Sequence, residues 1–135
     1  MFEIDHLGIA VKSLAQAKSF YEKLGIAVLP EETVSQEKVR LAMVPLGESR
    51  IELLEPLSDD SPIAKFLAKR GEGLHHVSLR VDNLQSTVES LKKSGVRLIN
   101  EQIQVGAGGH LYVFVHPSSA GGVLLELCEE QPEGV

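Results

Sequence analysis

The sequence predicts an α+β fold in which two βαβββ modules form a curved sheet, and three observations lead there. The chain aligns with itself at an offset of about 70 residues, each copy opens on an alternating stretch, and each alternation runs into a capped helical stripe. At that offset His6-Leu7-Gly8-Ile9-Ala10-Val11 meets His76-Val77-Ser78-Leu79-Arg80-Val81, Leu14 meets Leu84, Lys23 meets Lys93 and Gly25 meets Gly95. After a small length difference, Ile51-Glu52-Leu53-Leu54-Glu55 meets Leu125-Glu126-Leu127-Cys128-Glu129, and residues 39–45 meet 111–117.

The elements follow in order. Leu7, Ile9 and Val11 fall on one face of the first strand and His6, Gly8 and Ala10 on the other, a period of two. Ser13 with Gln16 three residues on reads as a capping box. Leu14, Ala17, Tyr21 and Leu24 hold helical spacing, and Gly25 supplies a left-handed stop. Strands are expected at about 26–30, 38–45 and 50–55. Ser61-Pro62 is a cap followed by a first-turn proline, so a linker helix runs over 63–70 and ends at Gly71. The second copy has Asn83 as cap, Leu84, Val88 and Leu91 as stripe and Gly95 as stop, then strands at about 97–103, 110–116 and 122–129. Residues 1–135 are thus read as one domain, with modules over 4–57 and 73–130 joined by the linker at 61–71. Gly106-Ala107-Gly108-Gly109 reads as a flexible loop rather than a phosphate cradle, since no helical pattern follows it.

Composition narrows the function. Apolar residues make up 43% of the 135, enough for a packed core. Thirteen Lys and Arg against nineteen Asp and Glu leave a net charge of −6, which argues against nucleic acid as a partner. No apolar run approaches the roughly 18 residues of a membrane span, and Glu3, Asp5 and His6 break up any leader-like stretch. A soluble, cytoplasmic protein is expected. Cys128 is the only cysteine, so neither an intrachain disulfide nor a thiolate cluster is available.

The repeat brings four residues of metal-binding chemistry to two pairs of equivalent positions: His6 and His76 in the first strands, Glu52 and Glu126 in the last. By alternation all four lie opposite the aliphatic residues, so two sheets meeting about a pseudo-twofold would aim them into one concavity. Taken singly, a strand histidine is more often a hydrogen-bonded side chain, and a glutamate between aliphatic residues usually faces water. Recurrence of both types in both copies is not something packing requires, and it favours a metal site. Two imidazoles and two carboxylates suit Co²⁺, Mn²⁺, Ni²⁺, Fe²⁺ or Zn²⁺, with positions left for substrate oxygens. His75, His110 and His116 lack this symmetry and read as structural or rim residues, and Cys128 as core.

Several longer motifs stand beside these: Asp5-His6-Leu7-Gly8-Ile9-Ala10-Val11, Ile51-Glu52-Leu53-Leu54-Glu55-Pro56, Asp60-Ser61-Pro62-Ile63-Ala64-Lys65-Phe66-Leu67, Gly73-Leu74-His75-His76-Val77, His116-Pro117 and Gly121-Gly122-Val123-Leu124-Leu125-Glu126-Leu127. With them the chain resembles the vicinal oxygen chelate superfamily, and within it the methylmalonyl-CoA epimerase family, from Asp5 to about Glu129. The stretch from Asp60 to His76 separates that family from glyoxalases and dioxygenases. The resemblance implies the vicinal oxygen chelate fold, a curved sheet around a metal site. It also implies His6, Glu52, His76 and Glu126 as ligands of one divalent ion, Co²⁺ first among the five.

The implied reaction interconverts the 2R and 2S forms of methylmalonyl-CoA. A proton leaves a carbon flanked by a thioester and a carboxylate, and one returns to the opposite face of the enolate. Glu126 and Glu52, from opposite halves, are the expected bases. Some members carry a further glutamate where this chain has Arg40 and Leu41, which leaves Glu37 as a third candidate. Lys65, Lys69 and Arg70 could meet coenzyme A phosphates, although a solvated helix face is the favoured reading. Competing readings are a glyoxalase-type lactoylglutathione lyase, which the same ligands would serve, and a metal-free binding module, which would not need them. A dioxygenase would use three ligands rather than four. Open sheet edges predict a homodimer.

Overall fold

The structure, a computed structural model, describes residues 2–130. Their elements are β1 (Glu3–Ala10), α1 (Leu14–Lys23), β2 (Glu32–Val34), β3 (Val39–Leu46), β4 (Ser49–Pro56), α2 (Pro62–Arg70), β5 (Gly73–Arg80), α3 (Leu84–Lys93), β6 (Gln104–Val105), β7 (Leu111–Val115) and β8 (Leu125–Glu129). The described residues divide into two compact units, 6–75 and 76–130 with 2–5. In each, the first long strand pairs in parallel with the last, and the last pairs antiparallel with the one before it: β2-β3-β4-β1 in one unit, β5-β8-β7-β6 in the other.

The helix starts are where the sequence puts them. Ser13 Oγ accepts from Gln16 N at 3.2 Å and Asn83 Oδ1 from Ser86 N at 3.0 Å, each satisfying a first-turn N–H that has no partner within the helix. Ser61 Oγ accepts from Ile63 N at 3.2 Å and starts α2 with Pro62 in its first turn. Gly25 and Gly95 take φ of 93° and 78° after α1 and α3, the left-handed step that stops a helix. In the first unit α1 packs on β3 and β4 and α2 also meets β4; in the second α3 packs on β8. Val11, Leu14, Ala42, Val44 and Leu53 form the first core; Val81, Leu84, Val88, Leu98, Val113, Val115 and Leu127 form the second.

Three expectations need correcting. The strand read at 26–30 lies at 32–34: Ile26 and Val28 pack on the core from an irregular segment, and Leu29 N reaches Met43 O at 2.9 Å. Pro30 follows with no N–H to continue that pairing. The strand read at 97–103 shrinks to 104–105, with Leu98 bridged singly to Val115. There Asn100 Oδ1 accepts from Phe114 N at 2.8 Å, so a side chain takes the backbone donor that a ladder needs. The last strand begins at Leu125 rather than 122, because Gly121 and Gly122 hold φ of 66° and 86°.

The register of the middle strands needs correcting as well. Met43 faces Glu52 and Phe114 faces Glu126, while Arg40 faces Glu55 and Leu111 faces Glu129. The middle strands therefore correspond as 40–44 to 111–115, one residue from the alignment of 39–45 with 111–117. A slip of one residue in a strand exchanges its faces, and the burial agrees with the new pairing: Ala42 and Val113 are both wholly buried in their cores.

Leu84 is fully buried at the start of α3. Leu84→Ala is expected to lower stability by about 3 kcal/mol, as a midpoint shift in urea denaturation at unchanged slope.

Candidate metal and proton-transfer site

Parallel pairing fixes the geometry of the site residues. In the first unit Gly8 pairs with Glu52 and Ala10 with Leu54, so His6, Gly8 and Ala10 share a face with Glu52 and Leu54. In the second, Ser78 pairs with Glu126 and Arg80 with Cys128, so His76 and Ser78 share a face with Glu126 and Cys128. The histidine thus precedes the partner of the glutamate by two residues in both units. Glu52 and Glu126 lie opposite Ile51, Leu53, Leu125 and Leu127, which turn toward the helices.

All four residues are buried, with exposures of 1% for His6, 7% for Glu52, 4% for His76 and 6% for Glu126. His6 Nε2 stands 3.5 Å from Glu52 Oε1. A ring nitrogen of His76 and a carboxylate oxygen of Glu126 lie within 4.8 Å of each other. The His76 ring meets Phe114 edge-on at 5.6 Å, and Phe114 meets Tyr112 at 5.8 Å, an aromatic wall beside the second pair. Its counterparts in the first unit are Met43 and the buried Leu41. The residues facing the two glutamates from the neighbouring antiparallel strand, Met43 and Phe114, are thus apolar. A carboxylate held there is costly unless a cation or hydrogen-bond donors meet it, and an imidazole beside it makes a natural cation-binding pair.

The other candidates lie elsewhere. Glu37 closes the 3₁₀ turn Ser35–Glu37 ahead of β3, and Lys38 next to it takes a left-handed φ of 56°. Arg40 turns to the helix side, its Nη1 3.3 Å from Glu55 Oε2, and Leu41 brings no base to the buried face. Lys65, Lys69 and Arg70 are exposed on α2, and Arg70 lies over the Phe66 ring at 5.9 Å. His116 caps the turn at Pro117–Ser119, its Nδ1 accepting from Ser118 N at 3.0 Å. Cys128 is buried, its sulfur accepting from Ser78 Oγ at 3.3 Å.

Sequence reasoning did not pick out several residues that organise the units. Glu55 Oε1 accepts from Leu14 N at 3.4 Å, and Glu129 Oε1 from Leu84 N at 2.7 Å. The repeat of Glu-x-x-Glu at matched positions was the available signal. Asp5 is buried beside Arg80, whose guanidinium also meets Glu3 and Glu130. Asp60 is bound by Lys38 and Ser58, and chiefly its bond to Lys38 pulls its pKa down to about 2. Burial pushes His75 down to about 4, its ring set edge-on to Phe66 at 5.0 Å.

The chain matches the Glyoxalase/Bleomycin resistance protein/Dioxygenase superfamily over residues 5–114 and belongs to it. Its relatives within that superfamily include methylmalonyl-CoA epimerases. The human mitochondrial enzyme is 41% identical over 126 residues, covering 92% of this chain and 72% of that one. The crystal structure of the Mycobacterium tuberculosis enzyme superposes with a TM-score of 0.91 at 38% identity, covering 96% of this chain and 89% of that one. An epimerase solved with methylmalonyl-CoA and ammonium also gives 0.91, at 34% identity over 96% and 95% of the two chains. Among the described residues no helix is long and apolar enough to cross a membrane.

The shift on His75 has a measurable sign. Its folded value lies below the ordinary 6.5, so the unfolded chain takes up the proton first and stability is lost as pH falls from about 6.5 to about 4. Imidazole resonances followed by NMR are expected to show His75 neutral down to about pH 4, and Phe66→Ala, which opens its cover, to raise that midpoint. A midpoint near 6.5 in the unaltered protein would contradict the burial.

Proposed function

We propose that the chain is a metal-dependent methylmalonyl-CoA epimerase that interconverts the 2R and 2S thioesters by proton transfer through an enolate. The observation that carries this reading is a buried histidine–glutamate pair on the same parallel register in both units, in a chain 41% identical to a human enzyme of that name. His6 and Glu52 from one unit and His76 and Glu126 from the other would hold one divalent ion, Co²⁺ first and Mn²⁺, Ni²⁺, Fe²⁺ or Zn²⁺ as alternatives. The donor set fits: it is all nitrogen and oxygen, it is buried, and its carboxylates would balance the charge of the ion.

When bound, the ion supplies Lewis-acid polarisation of the thioester carbonyl and so favours the enolate. The protein must do the rest. Glu126 is the first candidate to take the α-proton or return it, because it is buried on the site face with Phe114 opposite it on β7. Glu52 is the matching candidate for the opposite face. Glu37 is a third, and Leu41 leaves the buried face of β3 without a carboxylate at its position. The cytoplasm remains the proposed location. A homodimer is proposed as well, since Phe2 and Ile4 leave 65% and 49% of their surface exposed around β1.

Purified protein is expected to epimerise methylmalonyl-CoA, to lose that activity on chelation and to regain it with Co²⁺. It is expected to leave the glutathione thiohemiacetal of methylglyoxal unchanged. His6→Ala or His76→Ala should weaken metal binding by about tenfold or more in a metal-binding titration. Full occupancy in both variants would remove the ligand assignment. Glu126→Gln keeps an oxygen for the metal while removing the base, so kcat should fall by about 10²-fold with a smaller loss of metal affinity. Loss of metal and activity together would make Glu126 a ligand alone.

A further inference from the structure

Glu52 and Glu55 are three residues apart on β4, and Glu126 and Glu129 three apart on β8. An odd spacing on a strand sends two side chains to opposite faces, about 10 Å apart along the chain. The first glutamate of each pair thus lies on the buried face of the site, and the second faces the helix. Glu55 Oε1 accepts from Leu14 N, the first N–H of α1, while its Oε2 pairs with Arg40 at 3.3 Å. Glu129 Oε1 accepts from Leu84 N, the first N–H of α3, at 2.7 Å. These N–H groups have no partner within their helix and lie at its positive end, so the carboxylate makes a charge-assisted tie at Glu129 and a longer one, 3.4 Å, at Glu55.

Each helix already has its own cap, Ser13 or Asn83, on a different N–H. The second carboxylate therefore does something the cap does not: it joins the helix start to the strand that carries the site glutamate. The arrangement recurs in both units although the flanking residues differ, Arg40 facing Glu55 where Leu111 faces Glu129. We propose that Glu55 and Glu129 are positioning residues for the epimerisation. Each sets the slide of its strand against the helix, and with it the place of Glu52 or Glu126. The inference rests on the proposed function for its catalytic consequence.

The test compares Glu129→Ala with Asn83→Ala, which weakens the same helix start without releasing the strand. Glu129→Ala is expected to lower kcat by about tenfold with KM within about twofold, since a misplaced reacting group loses rate before it loses binding. Glu129→Gln, which keeps the acceptor, should restore most of it, and Asn83→Ala should keep kcat at a comparable loss of Tm. In metal-free protein, amide hydrogen exchange at Glu126 and Leu127 should quicken more in Glu129→Ala than in Asn83→Ala. Equal loss of kcat in the two variants, or unchanged kcat in Glu129→Ala, overturns the proposal. Should Glu129→Ala fail to fold, Glu55→Ala against Ser13→Ala makes the same comparison. Wild-type protein without turnover of methylmalonyl-CoA overturns the function instead, and the exchange comparison then decides the strand tie by itself.

Discussion

The parallel pairing of the first and last long strand in each unit is the constraint on which the rest depends. It matches Gly8 to Glu52 and Ser78 to Glu126, and the histidine two residues earlier comes to the same face as the glutamate. Adjacent strands are held about 4.8 Å apart, so a histidine and a carboxylate two positions out of register can approach without strain. The opposite faces of the same strands carry the two cores, so a register slip would bury a glutamate under a helix and expose a core leucine. Hydrophobic packing therefore enforces the placement of the polar residues.

The two units do not run on identical chemistry. The position facing Glu52 is Met43 and the one facing Glu126 is Phe114; Leu41 in the first unit corresponds to Tyr112 in the second. A thioether and an aliphatic side chain line one glutamate, two aromatic rings the other. The two carboxylates therefore have unlike neighbours although they hold equivalent places in the repeat. Asp5 and Arg80 add a further asymmetry, because the repeat places His75 opposite Asp5 and Ala10 opposite Arg80.

Much of this was legible in the sequence because it rests on periodicity. The alternation at His6–Val11 and His76–Val81, the caps Ser13, Asn83 and Ser61, and the stops Gly25 and Gly95 are local signals, and the structure realises each of them. The edge strands were misplaced because their apolar residues, Ile26 and Val28 or Val96 and Leu98, look like strand while serving the core from irregular backbone. Asn100 then ends the pairing with its side chain, which no count of hydrophobic residues reveals. The repeat showed His6, Glu52, His76 and Glu126 as a set. Glu55 and Glu129 stood in the same aligned segments, but a helix-capping partner from a distant strand has no local spacing to betray it.

The division of the chain has a consequence for how it is made. Residues 6–75 close on themselves, each parallel partner lying within the stretch, and that unit is complete once its final residues have left the ribosome. The opening residues belong with the later unit: Glu3 and Asp5 meet Arg80, more than seventy positions downstream. Glu3 and Asp5 thus find their partner only after the whole 6–75 unit has been made. Phe2 and Ile4, exposed even in the folded chain, are open to misassociation throughout that interval. The acidic residues interleaved with them, Glu3 and Asp5, keep that waiting segment charged until Arg80 arrives to meet them.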